Sequence, residues 1–182
     1  METKNSSNPS RRYEIVPYNP VWRDMFAAEA AKLKEILGST ATAVEHVGST
    51  SIPGMSGKPL IDILIITNDI TAIDSKTPAL EIAGYISYGD ILQSGGRLFA
   101  REKGHEKVAN IHCYEPGNFR IKELRAVRDY LIAHPKEALG YASIKKQLKE
   151  QYPEDYASYR RLKDEYMDTL HVQAYAWYDS QA

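Results

Sequence analysis

One cysteine, Cys113, stands in the 182 residues, so no internal disulfide can form and the chain suits a reducing cytoplasm. No run approaches the roughly eighteen consecutive apolar residues of a spanning helix, and the polar, Ser/Asn-rich segment 1–12 lacks the apolar stretch of a signal peptide. That segment reads as a disordered tail. Charge of one sign is also missing. A formal charge of −1 and a pI near 6.5 argue against a protein whose main task is coating nucleic acid or an anionic membrane, which needs a surplus of clustered Lys and Arg. A local basic site stays open. There is no internal repeat and no linker long enough to separate domains, so 13–182, within a chain of 43% hydrophobic content, is expected to form one cytoplasmic domain.

What is present divides into two halves. Asn19 and Pro20 open an amphipathic run in which Trp22, Met25, Phe26, Ala30, Leu33 and Leu37 fall at helical spacing before Gly38 closes it. Strands are expected over 42–47 and 60–66, the second apolar enough to be covered on both faces. A helix over about 69–83, a short strand over 85–88, a hairpin joining 90–93 to 97–101 through Gly95-Gly96, and a strand over 108–114 follow. After Pro116-Gly117-Asn118 only helical patterns occur: 119 to about 133, 135 to about 150, and a third beginning at Pro153. Strands before residue 115 and helices after it give an α+β fold: a mixed sheet of about five strands, an N-terminal helix and a C-terminal set of three helices packed on one side or end of the sheet. Many of the 13 tyrosines lie in those late helices and read as packing residues with hydroxyls reaching water.

Function would have to live between Glu45 and Ile65. Asp62 lies between isoleucines on the second strand, where a carboxylate carries a large desolvation cost unless it meets a cation, a metal or several donors. The loop Gly48-Ser49-Thr50-Ser51 offers small residues whose backbone N–H groups and hydroxyls could cradle phosphate oxygens. The alternative is a tight turn whose hydroxyls cap the following segment, with Asp62 meeting a local arginine.

Read as Gly48-Ser49, twelve residues, then Asp62-Ile63-Leu64-Ile65, the stretch resembles the signature of the polymerase-beta-like nucleotidyltransferase superfamily, in which the Gly-Ser holds the incoming nucleotide's phosphates. The longer form, Glu45-His46-Val47-Gly48-Ser49-Thr50-Ser51-Ile52-Pro53-Gly54 with Lys58-Pro59-Leu60-Ile61-Asp62-Ile63, is similar to the GrpB family, a branch of that superfamily. The likeness extends through Tyr18, Trp22, Arg97, Phe99, His112, Glu115-Pro116-Gly117, Arg128-Asp129-Tyr130-Leu131 and His134-Pro135. It implies a nucleotide and a small-molecule acceptor as partners, and a divalent metal, Mg or Mn, as cofactor. Some members resemble the partner half of fusions with a dephospho-coenzyme A kinase domain.

Nucleotidyl transfer needs charge neutralised on both sides of the α-phosphorus. Side chains two apart on a strand face the same way, so the superfamily pattern would place acids at 62 and 64. Position 64 is Leu, and one carboxylate cannot build the usual two-ion site. His112 is the candidate for the neighbouring strand, with Glu115 at its end. His46 is expected to lie close to Asp62, with Glu45 on the opposite face, so that Asp62, His46 and His112 form the candidate metal cluster, and Asp62 and His112 the catalytic pair. Phosphate contacts are assigned to Gly48, Ser49, Thr50, Ser51, Lys58, Arg97, Arg125 and Arg128, with Arg101 and Lys107 as further cations. Arg128-Asp129 could instead brace the helix on the sheet. The run Lys145 to Lys149 reads as a solvated helix face. Two functional readings follow: an enzyme that moves a nucleotidyl group from a triphosphate to a small acceptor, or, given Leu64, a nucleotide or phosphometabolite binding module that kept the cradle and lost the chemistry.

Overall fold

The computed structural model describes residues 13–104 and 106–181; the expected tail over 1–12 lies outside them. Helix α1 (Val21–Leu37) starts where the Asn19 side chain accepts from the Val21 amide at 3.1 Å, and ends at Gly38, whose φ of +57° suits glycine. Strand β1 (Ala43–Val47) leads through a short 3₁₀ turn at Ser49–Ser51 to strand β2 (Ile61–Ile66). Helix α2 (Ile70–Ile82) is capped by the Asp69 carboxylate, which accepts from Thr71 N at 2.8 Å. The Glu115 carboxylate holds the Ile70 amide at 2.8 Å, so this acid serves a helix start.

Strands β3 (Tyr85–Gly89), β4 (Arg97–Lys103) and β5 (Glu106–Tyr114) complete a five-stranded sheet in the order β1-β2-β5-β4-β3. The β2/β5 pair is parallel and the others antiparallel, which makes the sheet mixed. Residues 90–93 are not the strand expected there. They form a loop in which the Asp90 carboxylate accepts from the Ser94 and Gly95 amides at 2.9 and 2.8 Å, and β4 pairs with β3 instead. Side-chain bonds to the local backbone outcompete a ladder at that point.

Period-two alternation divides the sheet into two faces. Ile61, Ile63, Ile65, Ala109, Ile111, Cys113 and Phe99 meet α1 and α2 through Trp22, Leu33, Leu37, Ile73 and Leu80. Val47, Leu64, Ile66 and Tyr114 occupy the other face and meet Ile121 of α3 (Phe119–Ala133). Helices α3, α4 (Pro135–Gln151) and α5 (Tyr156–Asp179) pack on one another around Ala126, Leu131, Ala138, Tyr141, Leu170 and Ala174, and Ile52 and Met55 of the β1–β2 connection insert into that cluster. The third late helix is capped by Asp155, which accepts from Ser158 N at 3.0 Å, so it begins after Pro153 and not at it. Ile52 and Met55 thereby anchor the hydroxyl-rich loop to the late helices.

Candidate functional site

Gly48 ends β1 with φ +73°, and a Cβ built on it would lie 2.5 Å from the Asp62 Oδ2. Only a residue without a side chain allows the loop to pass this close to the carboxylate. The register Val47↔Asp62 brings the end of β1 against the start of β2, and the parallel pair Asp62↔Asn110 brings β5 alongside. Asn110 donates its amide to Asp62 Oδ1 at 2.9 Å. His112, one step further on the same face, has its Nε2 3.8 Å from that oxygen, while its buried Nδ1 has no hydrogen-bond partner among the described residues.

These groups line one wall of a cleft of about 410 Å³ between the sheet and helices α4 and α5. Gly48, Ser49 and Lys58 come from the loop, Asp62, Asn110 and His112 from the strands. Facing them are Tyr141 and Lys145 of α4 and Tyr156, Tyr159, Arg160 and Lys163 of α5. With Lys107 and Arg120, six cationic side chains line the cleft against two acids, Asp62 and Asp164. Some are already paired: Arg120 with Glu123 at 2.6 Å, Lys163 with Asp164. Lys58 donates to the Tyr156 hydroxyl at 2.7 Å and lies 4.5 Å from that ring's centre.

Lys145, expected on a solvated helix face, is instead buried, with 2% of its surface exposed. Its Nζ donates to Ser49 Oγ at 3.2 Å and to the Ser56 carbonyl, and sits 4.5 Å from the Tyr141 ring centre. No carboxylate pairs with it among the described residues. Burial, reinforced by the like charges of Lys163 and Lys58, pulls its pKa down to about 7. A signal was available: Ala138, Tyr141 and Lys145 lie on one helical stripe and are the three buried positions of α4.

The loop's hydroxyls divide. Ser49 faces the cleft. Thr50, fully buried, donates to the Leu60 carbonyl at 3.2 Å and meets His46 Nε2 at 3.0 Å, and Ser51 donates to the Gly48 carbonyl at 2.6 Å. Thr50 and Ser51, expected on phosphate, instead hold the turn in shape.

Strand register overturns the placement of His46. Its partner in β2 is Ile63, so it lies on the α1 face, away from Asp62, with its ring stacked on Phe26 at 4.7 Å. Burial, against a smaller opposing pull from Asp62, lowers its pKa to about 4, which leaves the imidazole neutral. Glu45, expected on the opposite face, shares the face of Asp62 and is bonded by Arg125 at 2.5 Å and by Arg128 at 3.0 Å. Those two arginines, expected on phosphate, tie α3 to β1, and Arg128 also pairs with Asp129 at 2.7 Å. Arg97 is corrected for the same reason of parity: it stands on the α2 face in a bidentate pair with Asp74 at 2.6 and 2.7 Å. Arg101 meets Glu29 of α1.

The donor set does not fit a two-ion metal centre. Leu64 faces the same way as Asp62 and is fully buried in the apolar cluster under α3. Its β5 neighbour is His112, and Asp62's own neighbour is an amide that spends its N–H on the carboxylate. Among the described residues no three His, Cys, Asp or Glu side chains converge.

Sheet, Gly-Ser loop, strand-borne aspartate and helix-roofed cleft together describe an α+β protein with a cation-lined hollow between its sheet and its late helices. The family model described as "GrpB protein" matches residues 12–172. This chain belongs to the GrpB family. A crystal structure of conserved protein GrpB from Enterococcus faecalis superposes with a TM-score of 0.86 at 32% identity, over 91% of this chain and 99% of that one. UPF0157 protein YqkA of Bacillus subtilis is 38% identical over 169 residues, 93% of this chain and 49% of its own length, so the chain spans about half of that relative. A dephospho-CoA kinase of Mycolicibacterium paratuberculosis is 25% identical over 190 residues, 91% of this chain and 47% of the kinase.

Proposed function

We propose that this protein binds a nucleoside triphosphate, or a phosphorylated metabolite of similar charge, in the cleft between sheet and late helices, with phosphate oxygens against Ser49, Lys58 and Lys145. The observation that carries this reading is Lys145: a buried ammonium with no carboxylate partner among the described residues, on the one loop hydroxyl that faces the cleft. A buried cation without a counter-ion is costly, and an anionic ligand supplies the missing charge. Tyr141, Tyr156 and Tyr159 on the opposite wall are buried, and their rings pack on Tyr166, Tyr13 and the two lysines, so they shape the cleft around those ammonium groups. Leu64 and Asn110 favour binding without group transfer. Titration calorimetry with ATP, CTP, GTP and UTP tests the reading: saturable heat with at least one is expected, and none at millimolar concentration sinks it.

Transfer of a nucleotidyl group to a small acceptor is the second reading, favoured by Asp62 and His112 lying 3.8 Å apart beside the same cleft. Either could take a proton from an acceptor hydroxyl. Pyrophosphate release in the presence of candidate acceptors, abolished by Asp62→Asn, would support it; a chain that binds triphosphate and releases none is a binding module.

A further inference from the structure

We infer that the cleft takes its polyphosphate without a divalent ion, the chain's own ammonium groups standing where a metal would otherwise neutralise the phosphates. The inference rests on the anion-binding reading above and goes beyond it by naming the ionic form of the ligand.

Two independent observations carry it. The first is the missing ligand set. A metal shared with phosphates needs carboxylate oxygens directed at it, and hard divalent cations need several. Asp62 is the lone acid on its strand face, Leu64 closes the neighbouring position with hydrocarbon, and the Asn110 amide already occupies Oδ1. The second is the cation supply. Lys145 is sealed into the wall, and both Lys58 and Lys163 are close enough for their charges to oppose its protonation. Asp164 offsets Lys163, yet the cleft still sets six cationic side chains against two acids, an excess of positive charge that a polyanion relieves. Lysine suits this task, since its compact charge can approach any phosphate oxygen without the fixed geometry of a guanidinium.

Charge then discriminates between ligand forms. A chelated Mg²⁺ removes two of the negative charges on a triphosphate and blocks the oxygens that the ammonium groups would reach. The free polyanion is therefore the better ligand here, the reverse of a site that holds its nucleotide through metal-bridging acids.

Inorganic tripolyphosphate and ATP, each titrated into the whole chain at fixed ionic strength with EDTA or with excess Mg²⁺, provide the test. The expected result is binding in EDTA that weakens about tenfold or more when Mg²⁺ saturates the ligand. Lys145→Met, which keeps the side chain's length in the buried wall, is expected to lose at least tenfold in the EDTA arm, with Ser49→Ala as a second variant that adds no bulk. Lys146→Met, on the exposed face of the same helix, is expected to bind as the parent does. Binding that is as tight or tighter with Mg²⁺ overturns the inference and leaves the anion-binding reading standing. Absence of binding in both arms removes both.

Discussion

Lys145 shows how one side chain can reverse the meaning of a charge run. Four of the five positions from 145 to 149 are polar or charged, yet helix periodicity turns the first inward, where desolvation and two neighbouring ammonium groups lower its pKa to about 7 from 10.5. The unfolded chain therefore binds more protons than the folded one between those values, and stability rises with pH across that window. Below about pH 7 the group is charged in both states and the destabilisation is fully present. Lys145→Met is expected to stabilise the protein by about 1–3 kcal/mol at pH 6 and by much less at pH 10, as read by urea denaturation. A second expectation at this scale concerns Gly48. Gly48→Ala sets a Cβ 2.5 Å from Asp62 Oδ2 at a backbone φ of +73°, and should cost about 1–3 kcal/mol in the same assay.

Between elements, the decisive fact is register. The β1/β2 pairing sets Glu45 opposite Leu64 and His46 opposite Ile63, so the acid faces α3 and the imidazole faces α1. Arg125 and Arg128 then use Glu45 to fasten α3 to the sheet edge. Burial raises the Glu45 pKa, but the hydrogen bonds and charges of the two arginines outweigh it and hold the carboxyl below its ordinary 4.5. Its stabilising contribution is present above pH 4.5 and is lost as pH falls through the lowered value. Glu45→Gln is expected to cost about 1–2 kcal/mol at pH 7, the partial exposure of the pair limiting the loss. Its denaturation midpoint should converge on that of the parent only once the pH has fallen below that lowered value. The elements themselves were largely legible: α1, α2, β1, β2 and α3 fall within a residue or two of where caps, glycines and periodicity place them. The hairpin over 90–93 was not, because the Asp90 side chain's bonds to Ser94 and Gly95 are local chemistry that an apolar/polar pattern does not encode.

For the whole molecule, ligand and fold are linked through the same cleft. A polyanion that binds only the folded chain raises its stability by mass action, so millimolar tripolyphosphate should raise Tm by several degrees in the parent and by little in Lys145→Met. Because the anion restores the proton affinity of Lys145, binding at pH 8 should take up protons, seen as an enthalpy that varies with buffer ionisation heat in the parent and not in the variant. The α5 tyrosines belong to this scale as well. Tyr156 and Tyr159, which line the cleft, pack behind it on Tyr13 with ring centres 5.1 and 4.5 Å away, so residues 143 to 146 positions apart in the chain brace that wall.

The helices, the strand-rich first half, the lone acid at 62 and the glycine-led loop ahead of it can all be read from the chain alone, because each depends on neighbours within a few residues. Leu64 is legible in the same way, and with it the incomplete carboxylate set. Which cations reach the cleft was settled by folding in three dimensions. Arg97, Arg125 and Arg128 were drawn to acids on other elements, while Lys145, Arg160 and Lys163 were brought in by helices from far along the chain. Side-chain direction follows from strand register and helix docking, and both are fixed by burial of apolar surface between segments distant in sequence, which no local pattern carries.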